Sequence, residues 1–115
     1  MATVTCGTGA RDYTSLALLE SYLNALGSLS APEIVEFYND GLLTGDLTLT
    51  GITPSATNTL TLRCATGQSH KDHVDKLTNA RRCDQSYGVM FQFSAGFAFG
   101  LDLGYAPYVI VDGLQ

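Results

Sequence analysis

A chain of 115 residues, 45% hydrophobic and 15% charged, suits one domain with one small core. Its net charge of −5 argues against nucleic acid as a partner, and it has no apolar run of the about 18 residues a membrane-spanning helix needs. The opening MATVTCGTG lacks the charged and apolar regions of a signal peptide, and Met1 reads as the encoded start.

Residues 2–6, ATVTC, predict a short strand, and GTGARDY predicts a turn. Leu16, Leu19, Leu23 and Leu26 then recur at helical spacing. They predict a helix over 14–26, with Thr14 as its N-cap, Asp12 as an alternative start and Gly27 as its C-cap. From Ala31 the period becomes two. EIVEFYND sets Ile34, Glu36 and Tyr38 against Val35 and Phe37. DLTLTGIT alternates Leu47 and Leu49 with threonines, and NTLTLRC alternates Leu60 and Leu62 with Thr59, Thr61 and Arg63. A polar stretch follows, after which GVMFQF, FAFGLDL and YVIVDGL resume the strand pattern.

These are two groups of three strands, at 34–64 and 89–111. The second spans about 23 residues, the size of one coil of a three-sided parallel β-solenoid. The expected fold is therefore mainly β: a short right-handed parallel β-helix of about two coils in a single domain. Residues 1–30 supply the first strand and a capping helix, 31–64 the first coil, 65–86 a polar basic loop and 87–115 the second coil. A solenoid end exposes apolar interior and unpaired strand edge, and the leucine face of the helix would cover one such end. An antiparallel β-sandwich or jelly roll is the alternative, since strands spaced 10 to 12 residues apart suit it too. Few Asn-Gly hairpin signals occur between the strands, which leans toward the solenoid.

The segments GTGARDYTSLALLESYL, VEFYNDG, LTLTGIT, NTLTLRCATGQSH and YVIVDGLQ follow one another in an order that resembles the N-terminal part of right-handed parallel β-helix proteins, pectate-lyase-like in fold, such as occur in bacteriophage and environmental sequences. The resemblance implies that the opening leads into a capping helix and that a strand like YVIVDGLQ begins a later coil. It implies a phage or extracellular setting, and it does not imply activity, because polysaccharide lyases and hydrolases of this fold carry their acids and calcium ligands on later coils. This chain departs from the family in stopping after about two coils, in having Ala10-Arg11 where a second glycine is usual, and in the aromatic-rich FQFSAGFAFGLDLGY.

Catalytic signals are weak. Cys64, His70, His73 and Cys83 are candidate metal ligands, but only the two histidines are closely spaced. A Cys64–Cys83 disulfide is the stronger expectation, with Cys6 left as a buried thiol. Asp102 and Asp112 are expected on neighbouring strands, and Glu33, Glu36 and Asp46 are further carboxylates, but none has a distinctive neighbourhood and turn and surface roles fit all of them. The chain has no G-x-S-x-G elbow and no phosphate loop. Phe91, Phe93, Phe97, Phe99, Tyr105 and Tyr108 read as packing or interface rather than as a sugar platform.

Charge distribution points to assembly. Of six cations only Arg11 lies outside residues 63–84, a segment of net +2, while the rest of the chain carries −7. The candidate interface is Arg63, Lys71, Lys76, Arg81 and Arg82, together with Tyr108, Ile110 and Leu114 of the last strand. The expected function is that of a non-enzymatic, self-assembling structural protein: a phage capsid decoration, tail or spike component, or an extracellular filament subunit. Its partners are then further copies of itself or other virion structural proteins, in a virion or extracellular location, with no cofactor. The alternatives are a carbohydrate-binding or polysaccharide-degrading β-helix module, with glycans as partners, and an N-terminal fragment of a longer tailspike.

Overall fold

The computed structural model describes residues 1–68, 91–92, 101–103 and 107–112, the pair 91–92 as strand backbone. Among these the elements run in the order β1 (Ala2–Cys6), α1 (Leu16–Ala25), β2 (Glu33–Phe37), β3 (Leu43–Thr44), β4 (Leu47–Thr48), β5 (Leu60–Cys64), β6 (Phe91–Gln92), β7 (Leu101–Asp102) and β8 (Val109–Asp112). The protein is mainly β with one helix. Its strands form a first sheet of order β1-β2-β5-β8, a second of β3 and β6, and a third of β4 and β7. Every strand pairing among the described residues is parallel. Hairpins cannot make such pairs, so the antiparallel sandwich is not the arrangement found here.

The chain visits the three sheets in rotation. From β2 it passes to β3 and β4, then returns as β5 beside β2; β6 and β7 join β3 and β4, and β8 returns beside β5. This corrects the expected coil boundaries. NTLTLRC is not the third side of a first coil: Leu60 stands opposite Glu33, so the strand opens the next circuit on the same side as EIVEF. YVIVDGL likewise stands on that side again, with Val109 opposite Leu60, and is not the third side of a second coil. The spacing of short strands gives their number, but only the pairing register says which of them lie side by side.

Alternation along each strand builds the interior. In β2, Glu33, Val35 and Phe37 are buried, while Ile34 and Glu36 are half-exposed. Parallel register stacks Val4, Val35, Leu62 and Val111 in one row, and Cys6, Phe37 and Cys64 in another. The core adds Leu43 of β3, Leu47 of β4, and Leu49 and Ile52 from the segment after β4. Leu16, Leu19 and Leu23 of α1 are fully buried against it and Leu26 is partly buried, as the helical spacing predicts.

The helix starts later than expected. Ser15, not Thr14, is the N-cap: its backbone is extended and its hydroxyl accepts the Leu18 N–H at 3.2 Å. A cap serves the N–H three residues ahead, which puts Ser15 in place for a helix that begins at Leu16. At the other end Leu26 caps the helix and Gly27 follows at φ +62°, the left-handed turn that glycine makes without steric cost.

Candidate assembly surface

The two edges of the first sheet are finished differently. At β1 the edge is closed by the turn that follows it. Thr5 donates its N–H to the Asp12 carboxylate at 2.8 Å, and its carbonyl accepts the Tyr13 N–H at 3.0 Å. Gly7 donates to the Tyr13 carbonyl at 3.1 Å. The hydroxyl of Thr5 also donates to Asp12 at 3.0 Å and accepts the Asp12 N–H at 3.1 Å. A carboxylate and one residue of backbone stand where a further strand would lie, a common device for blunting an exposed edge.

Helix α1 does the same for the third sheet. Glu20 and Asn24 lie one turn apart, so both reach β4. Glu20 accepts the Thr48 N–H at 2.7 Å, and the Asn24 amide donates to the Thr48 carbonyl at 2.9 Å. The Asn24 Oδ1 accepts the N–H groups of Thr50 at 2.9 Å and Gly51 at 3.0 Å. Gly51 is required there, because a Cβ would collide with the Asn24 backbone carbonyl. Beyond the helix, the Thr53 N–H donates to the Gly27 carbonyl at 2.8 Å and the Leu29 N–H to the Thr53 carbonyl at 3.1 Å. The helix therefore covers the core with leucines and the strand edge with amide and carboxylate groups.

Two polar clusters brace this closed end. Glu33, buried in the inward row, accepts the Tyr22 hydroxyl at 2.5 Å, and the Tyr22 ring stacks on Tyr13 with centroids 4.8 Å apart. Burial, followed by the hydrogen bond to Glu33, pushes the Tyr22 phenol well above its ordinary range. On the surface Arg11 makes a two-pronged pair with Asp40, Nε to Oδ2 at 2.6 Å and Nη2 to Oδ1 at 2.9 Å, and lies 3.6 Å from the Tyr38 ring centroid. The Arg11 guanidinium holds the Asp40 carboxyl below the usual carboxylate range. Arg11 thus ties the turn after β1 to the segment after β2.

At β8 no such closure is present among the described residues. Along the inward row Val35 and Leu62 are 0% exposed, but Val111 is 43% exposed. Ile110, on the outer face, is 48% exposed and Tyr108 is 53% exposed. Tyr108 also has φ +61°, the one non-glycine residue at positive φ among those described. A bulky residue pays conformational energy there, and such residues gather at functional positions.

The residues singled out from the sequence fall as follows. Arg63 is outward on β5, 3.7 Å from Glu36 on β2 and opposite Asp112 on β8, so its charge is met within the chain. Lys71, Lys76, Arg81, Arg82 and Leu114 lie outside the described residues. So do His70, His73 and Cys83, and with Cys83 the expected disulfide and metal set. Cys64 ends β5, half-buried, and Cys6 is buried with its thiol pushed up to about 12 by desolvation. Among the described residues no three His, Cys, Asp or Glu gather around a common point. The acid pair is corrected: Asp102 is in the third sheet and Asp112 in the first, so they are not on neighbouring strands. Glu33 and Glu36 face opposite sides of β2, and Asp46 precedes β4. Of the aromatics, Tyr108 is placed on the surface, and the side chains of Phe91, Phe93, Phe97, Phe99 and Tyr105 lie outside what is described.

Sequence reasoning missed Asp12 as an edge cap and Glu20 and Asn24 as strand substitutes. The signal for the helical pair was present: two polar residues four apart, flanking the leucine stripe. No described helix is long and apolar enough to cross a membrane. No family model, curated protein or solved structure matches the chain.

Proposed function

We propose that the three parallel sheets are the sides of a short right-handed parallel β-helix, and that the protein is a structural module that works by self-association. The observation that carries this is the asymmetry of its ends: closed at β1 by Asp12 and Tyr13, exposed at β8 through Tyr108, Ile110 and Val111. An apolar strand edge left open is a template for another chain. A virion or extracellular assembly is the setting we assign to it, on the resemblance to phage β-helix proteins. Support for a structural rather than a catalytic role comes from the placing of the candidate acids: Asp102 and Asp112 lie in different sheets, Glu33 and Glu36 lie on opposite faces of β2, and Arg63 stands between Glu36 and Asp112. Light scattering over a dilution series tests the reading. The expected result is a mass above that of one chain, falling on dilution; a single-chain mass at every concentration overturns it.

A further inference from the structure

The hydrogen-bonding phase of the first sheet shows which backbone groups each edge offers. The Leu60 N–H donates to the Tyr108 carbonyl at 3.3 Å, and Leu60 stands opposite Val109. In a parallel ladder this turns the backbone groups of Tyr108, Ile110 and Asp112 toward β5 and those of Val109 and Val111 outward. At the other edge the Ala2 N–H donates to the Pro32 carbonyl at 3.1 Å, which turns Thr3 and Thr5 outward. Both groups of Thr5 are already taken by Asp12 and Tyr13. A second copy that continued the ladder head to tail, β8 onto β1, would therefore find only Thr3 within β1 to bond.

A second β8 is a better match for β8. We propose that two copies pair antiparallel through this strand, about a two-fold axis at Ile110. Val109 of each copy then faces Val111 of the other, and each such pair can exchange two N–H···O bonds, using every outward group of the described strand. Moving the axis to Val109 would set Val111 against Pro107, which has no N–H to give. On the outer face Ile110 meets Ile110 at the close, non-hydrogen-bonded position. Tyr108 falls beside Asp112, phenol against carboxylate, so no acid faces an acid across the strands. The inward valines extend the apolar row that Val35 and Leu62 begin and that ends exposed at Val111. Such a contact uses the same patch twice and closes, giving a dimer and not a fibre. The inference rests on the self-association proposed above and gives it a two-fold form.

Two variants test it in the full chain. Ile110→Cys puts two sulfurs at a site where paired Cα atoms lie about 4.5 Å apart, within disulfide range. Mild oxidation should cross-link this variant into a dimer in native buffer and not in denaturant, with the wild-type chain as the background. Val111→Pro removes an outward N–H while leaving the bonds to β5, and proline is tolerated on edge strands. It should keep the circular dichroism of the parent and weaken dimerisation by more than about tenfold. A dimeric mass with the cross-link supports the two-fold pairing. Trimers or filaments without a 110–110 cross-link overturn the pairing and leave self-association standing. A single-chain mass at all concentrations overturns both, and a Val111→Pro chain that dimerises as tightly as the parent overturns the pairing alone.

Discussion

Asp12, Glu33 and Cys6 show three ways a single residue is committed by its place at the closed end. Asp12 is exposed, yet its carboxylate holds both the backbone and the hydroxyl of Thr5. Glu33 sits in an inward row among Leu60 and Val35, where a bare carboxylate would be costly, and the Tyr22 hydroxyl meets it. Cys6 is fully buried, and desolvation raises its thiol from 9.0 to about 12. The raised value fixes a pH dependence. Well below pH 9 the thiol is neutral in both folded and unfolded chains and contributes no slope. Above pH 9 the unfolded chain loses this proton while the folded chain keeps it, so stability falls as pH rises from about 9 toward 12. Denaturation midpoints measured from pH 8 to 10 should decline, and Cys6→Ala should decline less steeply; equal slopes would show that Cys6 ionises as readily in the fold as out of it.

At the scale of the element, α1 is a short helix with two tasks. Its leucine stripe buries Leu16, Leu19 and Leu23, and the adjoining pair Glu20 and Asn24 bonds the edge of β4. Asn24 is the more committed of the two, with both ends of its amide used on three backbone groups. Asn24→Ala leaves the Thr48 carbonyl and the Thr50 and Gly51 N–H groups without these partners and should cost about 2–3 kcal/mol in urea unfolding. Glu20→Gln keeps an acceptor for the Thr48 N–H and should cost under about 1 kcal/mol. An Asn24→Ala chain as stable as its parent would mean that water serves the β4 edge as well as the helix does.

For the whole molecule the question is what brings copies together. A basic segment at 63–84 on an acidic body suggests ionic attraction, which salt weakens. The β8 pairing is apolar and backbone-mediated, and two chains of net charge −5 repel at a distance. Salt screens that repulsion. Raising sodium chloride from about 0.05 M to 0.5 M should therefore tighten association through β8. Sedimentation at the two concentrations decides between them: weaker association in high salt would return the contact to the charged segment. Arg63 already favours the apolar contact, since its guanidinium pairs with Glu36 inside the same sheet.

The sequence by itself determined the helix and the one-sided strands ATVTC, EIVEF and LTLRC, but not β3 at Leu43–Thr44, whose two residues are too few to show a period. Period-two runs such as EIVEF and LTLRC can bury only one side, and four leucines at helical spacing can bury only one stripe. Those constraints are local, so they survive without knowledge of partners. The N-cap was misplaced by one residue because Thr14 and Ser15 offer the same hydroxyl, and only the position of Leu18 selects between them. The tertiary structure alone decided which strands are neighbours, because alternation is the same in every strand and carries no address. It thereby separated Asp102 from Asp112 and set NTLTLRC beside EIVEF. It also decided which edges are closed. A carboxylate at Asp12 or an amide at Asn24 becomes a substitute strand only when folding brings it to an edge seven or more residues away in the chain.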